Sequence, residues 1–78
     1  MMTHEISLEL DLTGLTCPMP LLKTKQALNR LAAGAVLRVL ATDPAAERDF
    51  RVFAEQSGNR LLQAEQVEGV YRFVLQKS

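Results

Sequence analysis

Aliphatic and polar residues alternate near the beginning of the chain. In "EISLELDL" the aliphatic residues recur at every second position, at Ile6, Leu8, Leu10 and Leu12. This period is typical of a β-strand with one buried face. The later stretch "AVLRVLAT" predicts a second strand, and "RLLQAEQVEGVYRFVLQK" predicts two more, joined near Glu68 and Gly69, where glycine suits a tight hairpin turn.

A first helix is predicted directly after Cys17. Prolines follow this cysteine at one and three residues, and proline suits the first turn of a helix, where a missing amide donor costs little. No other helix breaker occurs from Leu21 to Ala33, and Gly34 is expected to end the helix. At 3.6 residues per turn, one stripe of this helix should face the sheet, namely Leu21, Thr24, Leu28, Leu31 and Ala32.

The segment "DPAAERDFRVFAEQSG" predicts a second helix. Asp43 is expected to cap it, Pro44 to be its first residue and Gly58 to lie beyond its end. Its core stripe should consist of Ala46, Phe50, Phe53 and Ala54. The resulting order is βαβαββ, which predicts a two-layer α/β sandwich, with a four-stranded mixed sheet packed against two helices and one sheet face open to water. The first two strands should be parallel.

Length and composition limit the function classes. Seventy-eight residues fit a single domain spanning residues 1–78, and the nine basic and nine acidic residues give a formal net charge of zero. Zero net charge argues against direct nucleic-acid binding and against an anionic membrane surface. The chain contains neither a signal-peptide pattern nor an apolar run long enough to span a membrane. A single cysteine that must stay reduced points to the cytoplasm.

Cys17 is the residue with the most reactive chemistry. It should lie at the carboxyl end of the first strand and at the beginning of the first helix, as Asp43 follows the second strand. Because the first amides of a helix carry a partial positive charge, we expect them to stabilise the thiolate and to lower the pKa of Cys17. The alternatives are a buried, inert cysteine and, for Asp43, a purely structural helix cap.

Other thiol chemistries lack the residues they need. The only histidine, His4, precedes the first strand, so a cysteine–histidine hydrolase pair is not expected. A dithiol motif needs a second cysteine, zinc needs three or four clustered ligands, and no glycine-rich phosphate loop occurs, so we expect neither a metal nor a cofactor. The remaining chemistry is that of one sulfur which accepts an adduct, such as a persulfide, and passes it on.

The block "LDLTGLTCPMPLLKTKQAL", residues 10–28, resembles the signature of the TusA/SirA-type sulfur-carrier family, with a Cys-Pro-x-Pro motif at the start of the first helix. The block "ATDPAAERDF" is similar to a second family block. The resemblance implies a persulfide relay protein of sulfurtransferase type. Such a protein accepts sulfur from a cysteine desulfurase or rhodanese-type donor and delivers it to an acceptor protein.

The resemblance also implies roles for individual residues. Cys17 would carry the sulfur, Pro18 and Pro20 would fix the loop and first turn, and Lys25 and Asp43 match a basic partner-contact position and the acid of the second block. Met19 departs from the glutamate that members serving tRNA thiouridine formation typically have here. General sulfur trafficking, including sulfur oxidation or cofactor sulfuration, therefore stays open.

Partner contact is expected around the thiol. Met19 and Leu22 lie three residues apart on the helix and project away from its core stripe, so they form an exposed apolar pair beside Cys17. We expect this pair to anchor a partner, and the basic side chains of the same helix to steer it from the rim, namely Lys23, Lys25 and Arg30. The alternatives are a non-catalytic, thiol-dependent regulatory or interaction module and, less supported, an RNA-binding fragment.

Overall fold

The structure, a computed structural model that describes residues 5–78, contains six elements in the predicted order. They are β1 (Leu8–Leu12), α1 (Met19–Asn29), β2 (Val36–Ala41), α2 (Ala46–Ser57), β3 (Arg60–Val67) and β4 (Val70–Gln76). The sheet order is β1-β2-β4-β3. The β1 and β2 strands are parallel, whereas β4 is antiparallel to both β2 and β3. The predicted two-layer α/β sandwich with a mixed four-stranded sheet is confirmed.

The core lies between the helices and one face of the sheet. Strand pairing places Leu10, Val39 and Phe73 side by side on this face. Phe50 of α2 is completely buried and stacks on Phe73 with 4.3 Å between ring centroids. This confirms Phe50 as a core residue, and Phe53, one turn later, is half-buried against the same cluster.

The opposite face of the sheet carries cross-strand ion pairs. Arg38 of β2 contacts Glu9 of β1, and Arg72 of β4 contacts Glu65 of β3. All four side chains are partly exposed, so each pair contributes about 0 to 1 kcal/mol and mainly keeps this face polar. Among residues 5–78, no helix is long and apolar enough to cross a membrane.

The first helix ends earlier than predicted. It stops at Asn29, and the amides of Arg30 and Leu31 donate to carbonyls three residues back, which tightens the last turn. The ammonium group of Lys77 also binds the Leu28 carbonyl at 2.8 Å. The prediction that Gly34 stops the helix and that Ala32 belongs to its buried stripe is therefore wrong, and Ala32 is exposed.

The second helix begins later than predicted. Its first residue is Ala46, Ala45 occupies the cap position, and no side chain caps this end of the helix. Pro44 lies in the preceding turn and not in the helix, while Gly58 ends the helix as predicted, with a positive φ of 82°. The predicted capping role of Asp43 is wrong, because only its backbone carbonyl bonds into the turn, where it accepts from the Ala46 amide.

The β3–β4 hairpin turns at the predicted residues. Glu68 and Gly69 both have positive φ, at 51° and 81°, as a two-residue primed turn requires. A Cβ atom added to Gly69 would meet nothing within 4 Å, so the demand for glycine comes from the backbone angle and not from packing.

Replacing Phe50 should test the core directly. We expect Phe50→Ala to lower the free energy of unfolding by about 3 to 5 kcal/mol, because it leaves a cavity against Phe73. Urea denaturation followed by circular dichroism measures the change. Val52→Ala on the same helix is the control, since Val52 is 44% exposed and its truncation should cost less than about 1 kcal/mol. Equal losses in the two variants would contradict this packing.

Replacing Gly69 should test the hairpin. We expect Gly69→Ala to lower the free energy of unfolding by about 1 to 2 kcal/mol, because alanine is strained at this positive φ. Gly69→Asn should cost less, since asparagine tolerates left-handed backbone angles. Chemical denaturation of the three proteins gives the order, and an alanine variant as stable as the parent would show that this turn does not have the described backbone.

Candidate functional site

The loop that carries Cys17 is held to the sheet by short hydrogen bonds. Thr13 donates to the Asp11 carboxylate from its hydroxyl at 2.7 Å and from its amide at 3.1 Å, and these bonds lower the pKa of Asp11. The next amide, that of Gly14, donates to the Thr42 hydroxyl at 2.8 Å. Because Thr42 directly follows β2, this bond holds the loop after β1 beside the loop after β2.

The beginning of α1 offers few free amide donors to a thiolate. Pro18 is the cap residue, Pro20 lies in the first turn, and neither has an N–H group. The amide of Met19, between them, donates to the Thr16 carbonyl at 2.9 Å. The helix end therefore offers fewer free amides for stabilisation of the thiolate than the sequence analysis assumed.

Carboxylates lie next to the sulfur. The Cys17 thiol is exposed and donates a hydrogen bond to Oδ2 of Asp49 in the first turn of α2, with 3.5 Å between sulfur and oxygen. Asp43, in the loop after β2, lies beside both residues. The Cys17 Sγ and one carboxylate oxygen from each aspartate all lie within 4.8 Å of one another. We call Asp43 and Asp49 the acidic pair.

The acidic pair controls the ionisation of the thiol. The hydrogen bond to Asp49 raises the pKa of Cys17, with further upward contributions from desolvation and from the negative charges of Asp49 and Asp43. Arg48, whose exposed guanidinium lies 3.7 Å from the other carboxylate oxygen of Asp49, acts in the opposite direction, but its contribution to the pKa of Cys17 is the smallest of these. The expectation of a lowered pKa is thus wrong in sign, because the carboxylates beside the sulfur favour the protonated thiol over the thiolate.

Asp49 is a site residue that the sequence analysis missed. Its signal was present in the sequence, because Asp49 lies next to Phe50, whose burial fixes the rotation of α2. A second signal was the pair of prolines, since residues without amide protons cannot stabilise an anion. Considering the second helix together with the first would have suggested a carboxylate beside the cysteine.

The same three residues bear on the question of metal binding. The sequence argument against a metal assumed that ligands were not clustered, yet Cys17, Asp43 and Asp49 do lie together. Exposed acidic groups often lie together without binding an ion, so this grouping alone does not define a metal site. His4 lies outside the described residues.

The exposed apolar pair lies where the sequence predicts it. Met19 is 36% exposed and Leu22 is 44% exposed, both on the first turns of α1 after Cys17. Val52 is also 44% exposed and lies one turn after Asp49 on α2. It lines a shallow groove beside α1 together with Asp49 and Lys25. Apolar surface is therefore exposed on both helices that flank the thiol.

The three predicted basic residues do not lie on one surface. Lys23 and Arg30 line a groove between α1 and β1, together with Leu8, Leu10 and Leu12 of β1. Lys25 lies on the other side of α1, with its ammonium group 5.6 Å above the centre of the Phe53 ring. The structure thus separates Lys25, beside α2, from the other two.

Comparison with known proteins gives the family. A protein-family model described as "Sulfurtransferase TusA" matches residues 8–77. The chain is 46% identical over 70 residues to the sulfur carrier protein TusA of Allochromatium vinosum, covering 90% of this chain and 92% of the relative. It is 37% identical over 76 residues to the sulfur carrier protein TusA of Pseudomonas aeruginosa, covering 97% of this chain and 96% of the relative.

A solved structure supports the same conclusion. The crystal structure of a SirA-like protein from Desulfitobacterium hafniense superposes with a TM-score of 0.78 and 28% sequence identity, covering 88% of this chain and 95% of that one. By sequence over nearly its whole length and by fold, the chain belongs to the TusA family.

Proposed function

We propose that this protein is a sulfur carrier that accepts persulfide sulfur on Cys17 and relays it to an acceptor protein. The donor would be a cysteine desulfurase or a rhodanese-type protein. The observation that supports the proposal most strongly is the exposed thiol of Cys17, next to exposed apolar side chains, in a chain that the family model matches over residues 8–77. A thiol so exposed can be reached by a residue of another protein without opening of the fold.

The transfer needs one sulfur and no cofactor. The thiolate of Cys17 attacks the outer sulfur of the donor persulfide, the donor's sulfur–sulfur bond breaks, and the donor cysteine leaves as a thiolate that takes up the proton lost by Cys17. One sulfur–sulfur bond forms and one breaks, so the exchange needs no external oxidant or reductant. An acceptor thiolate repeats the same step on the persulfide of Cys17.

The prolines of the motif would give the thiol a fixed position. Pro18 caps α1, and its carbonyl accepts the Leu22 amide at 3.1 Å. Pro20 is buried, so the first turn is packed against the rest of the protein. The side chain of Cys17 therefore extends from a loop whose ends are both fixed, which limits the entropy lost when a partner docks.

Docking would use the exposed apolar pair, Met19 and Leu22, as its anchor. The basic residues would steer partners from two sides, with Lys23 and Arg30 on the β1 side and Lys25 on the α2 side. We further propose the cytoplasm as its location, where a lone exposed thiol stays reduced. No direct contact with nucleic acid is part of the proposal.

The thiol-dependent regulatory module is the alternative. Redox-sensing cysteines are typically exposed and have lowered pKa values. Cys17 meets the first condition, but the acidic pair raises its pKa. This environment therefore argues against a general oxidant sensor. It favours a thiol that stays unreactive until a partner docks.

Sulfur loading tests the proposed function. We expect incubation with a cysteine desulfurase, pyridoxal phosphate and cysteine to add about 32 Da per sulfur to the protein, and dithiothreitol to remove it. Intact-protein mass spectrometry measures the addition. Cys17→Ser should accept none, since the chain has no other cysteine. A parent protein that stays unloaded with several desulfurases and rhodaneses would overturn the sulfur-carrier function and favour the regulatory alternative.

The docking role of the exposed apolar pair has its own test. We expect Leu22→Asp to reduce the rate of sulfur loading about fivefold or more, because a charge replaces a central apolar contact. Val67→Asp is the matched control, since Val67 is 55% exposed in the β3–β4 hairpin. Urea denaturation should verify that both variants are folded. If both load at the parent rate, the exposed apolar pair is not the docking surface.

A further inference from the structure

The two side chains of the acidic pair make few polar contacts that would stabilise the fold. Within the described part of the chain, the side chain of Asp43 makes neither a hydrogen bond nor an ion pair, and it does not cap α2. One carboxylate oxygen of Asp49 lies 3.7 Å from the exposed guanidinium of Arg48, and the other accepts the hydrogen bond of the Cys17 thiol. Both carboxylates are nonetheless partly buried at the sulfur. Their placement bears on the chemistry of Cys17 more than on stability.

The charges that face the sulfur come from two elements. The loop after β2 contributes Asp43, and the first turn of α2 contributes Asp49 together with the opposing Arg48. The basic residues of α1 line grooves on either side of that helix, where they face β1 or α2. Lys25 lines a groove together with Asp49, but its ammonium group lies over the Phe53 ring, so the charges that act on the thiol are two acids and Arg48. These leave the immediate surroundings of the thiol net negative, although the whole chain has zero net charge.

A net negative environment affects both the thiol and whatever approaches it. It opposes formation of a thiolate, and it attracts cations while repelling anions over a few ångströms. A partner that brings a cationic group to the acidic pair relieves the repulsion on the sulfur at the moment of contact. A neutral or anionic partner does not.

We propose that Asp43 and Asp49, whose carboxylates lie beside the Cys17 sulfur, are specificity-determining residues that select partners with a lysine or arginine next to their own reactive sulfur. This inference rests on the proposed function and adds the chemistry of the partner to it. The partner's cation forms a salt bridge with the acidic pair, the thiol proton passes to solvent, and the thiolate attacks the outer sulfur of the persulfide. The donor's thiolate leaves and takes up a proton from solvent, so charge and atoms balance.

Small disulfides of different charge test this selectivity without any partner protein. Cystamine carries two ammonium groups, whereas bis(2-hydroxyethyl) disulfide is neutral, and both react with a thiolate by the same exchange. The measured quantity is the ratio of their second-order rate constants with Cys17, followed by mass spectrometry at pH 7. Dividing by the same ratio for N-acetylcysteine amide removes the intrinsic reactivity of the reagents.

We expect a normalised ratio of roughly three to ten in the parent protein, the range around the factor that one net unit charge at 4 to 5 Å produces in water. Asp49→Asn and Asp43→Asn should each lower the ratio toward one, and added salt should lower it in the parent. Glu55→Gln is the matched control, because it removes the same charge from an exposed position six residues farther along α2 and should leave the ratio unchanged.

A second measurement separates a charge effect from a change in structure. The rate of alkylation by neutral iodoacetamide should rise severalfold at pH 7 in Asp49→Asn, because loss of the carboxylate lowers the pKa of Cys17. It should rise little at a pH where both proteins are fully ionised, since a less basic thiolate is a weaker nucleophile. Arg48→Gln should change the neutral-pH rate in the opposite direction.

The proposal is overturned if the normalised ratio is close to one in the parent, or if it is the same in Asp43→Asn, Asp49→Asn and Glu55→Gln. Misfolding of one aspartate variant, detected by circular dichroism, leaves the other variant and the salt dependence of the parent to decide. None of these readouts involves sulfur loading. A protein that shows charge selection but never accepts sulfur would therefore contradict the proposed function alone.

Discussion

The hydrogen bond between the Cys17 thiol and the Asp49 carboxylate joins the beginning of α1 to the first turn of α2, and it raises the pKa of that thiol. It exists because two parallel strands end at the same edge of the sheet and the loops after them meet there. The bond from Gly14 to Thr42 holds those loops together. Phe50, buried next to Asp49 in sequence, fixes the rotation of α2 that turns the carboxylate toward the sulfur.

The Cys-Pro-x-Pro motif and the second helix contribute different properties to the thiol. A cysteine at a helix N-terminus ordinarily gains from free amides, but here one proline precedes α1, a second lies in its first turn, and the amide between them is bonded. The motif therefore supplies position and exposure, and the second helix supplies the electrostatics. A thiol whose pKa is raised in this way reacts more slowly with alkylating and oxidising reagents than a thiolate does.

Much of the fold could be predicted because its signals are local. Alternation in β1, the branched residues of β2 and the glycine at position 69 each predicted their element from short stretches. The helix ends could not be predicted, because long-range contacts decide them. Lys77 from the other end of the chain binds the Leu28 carbonyl near the end of α1, and Asp43 contributes to the thiol site instead of capping α2.

The candidate site was predictable in identity but not in charge. Cys17, its prolines and the exposed apolar pair are adjacent in sequence, so the motif and helical spacing were sufficient to select them. Asp49 is 32 residues from the cysteine, and only the packing of α2 on the sheet brings the two together. The separation of Lys25 from Lys23 and Arg30 likewise depends on which groove of α1 each side chain enters, and this depends on the neighbouring elements.

The state of the sulfur is the point on which this account depends most. Thiolates absorb near 240 nm, and the difference spectrum between the parent protein and Cys17→Ser isolates this one group because the chain has no other cysteine. Titration of that difference should show ionisation above the pH at which an ordinary free cysteine ionises, with the midpoint moving down in Asp49→Asn. A thiolate already formed at neutral pH in the parent would contradict the account.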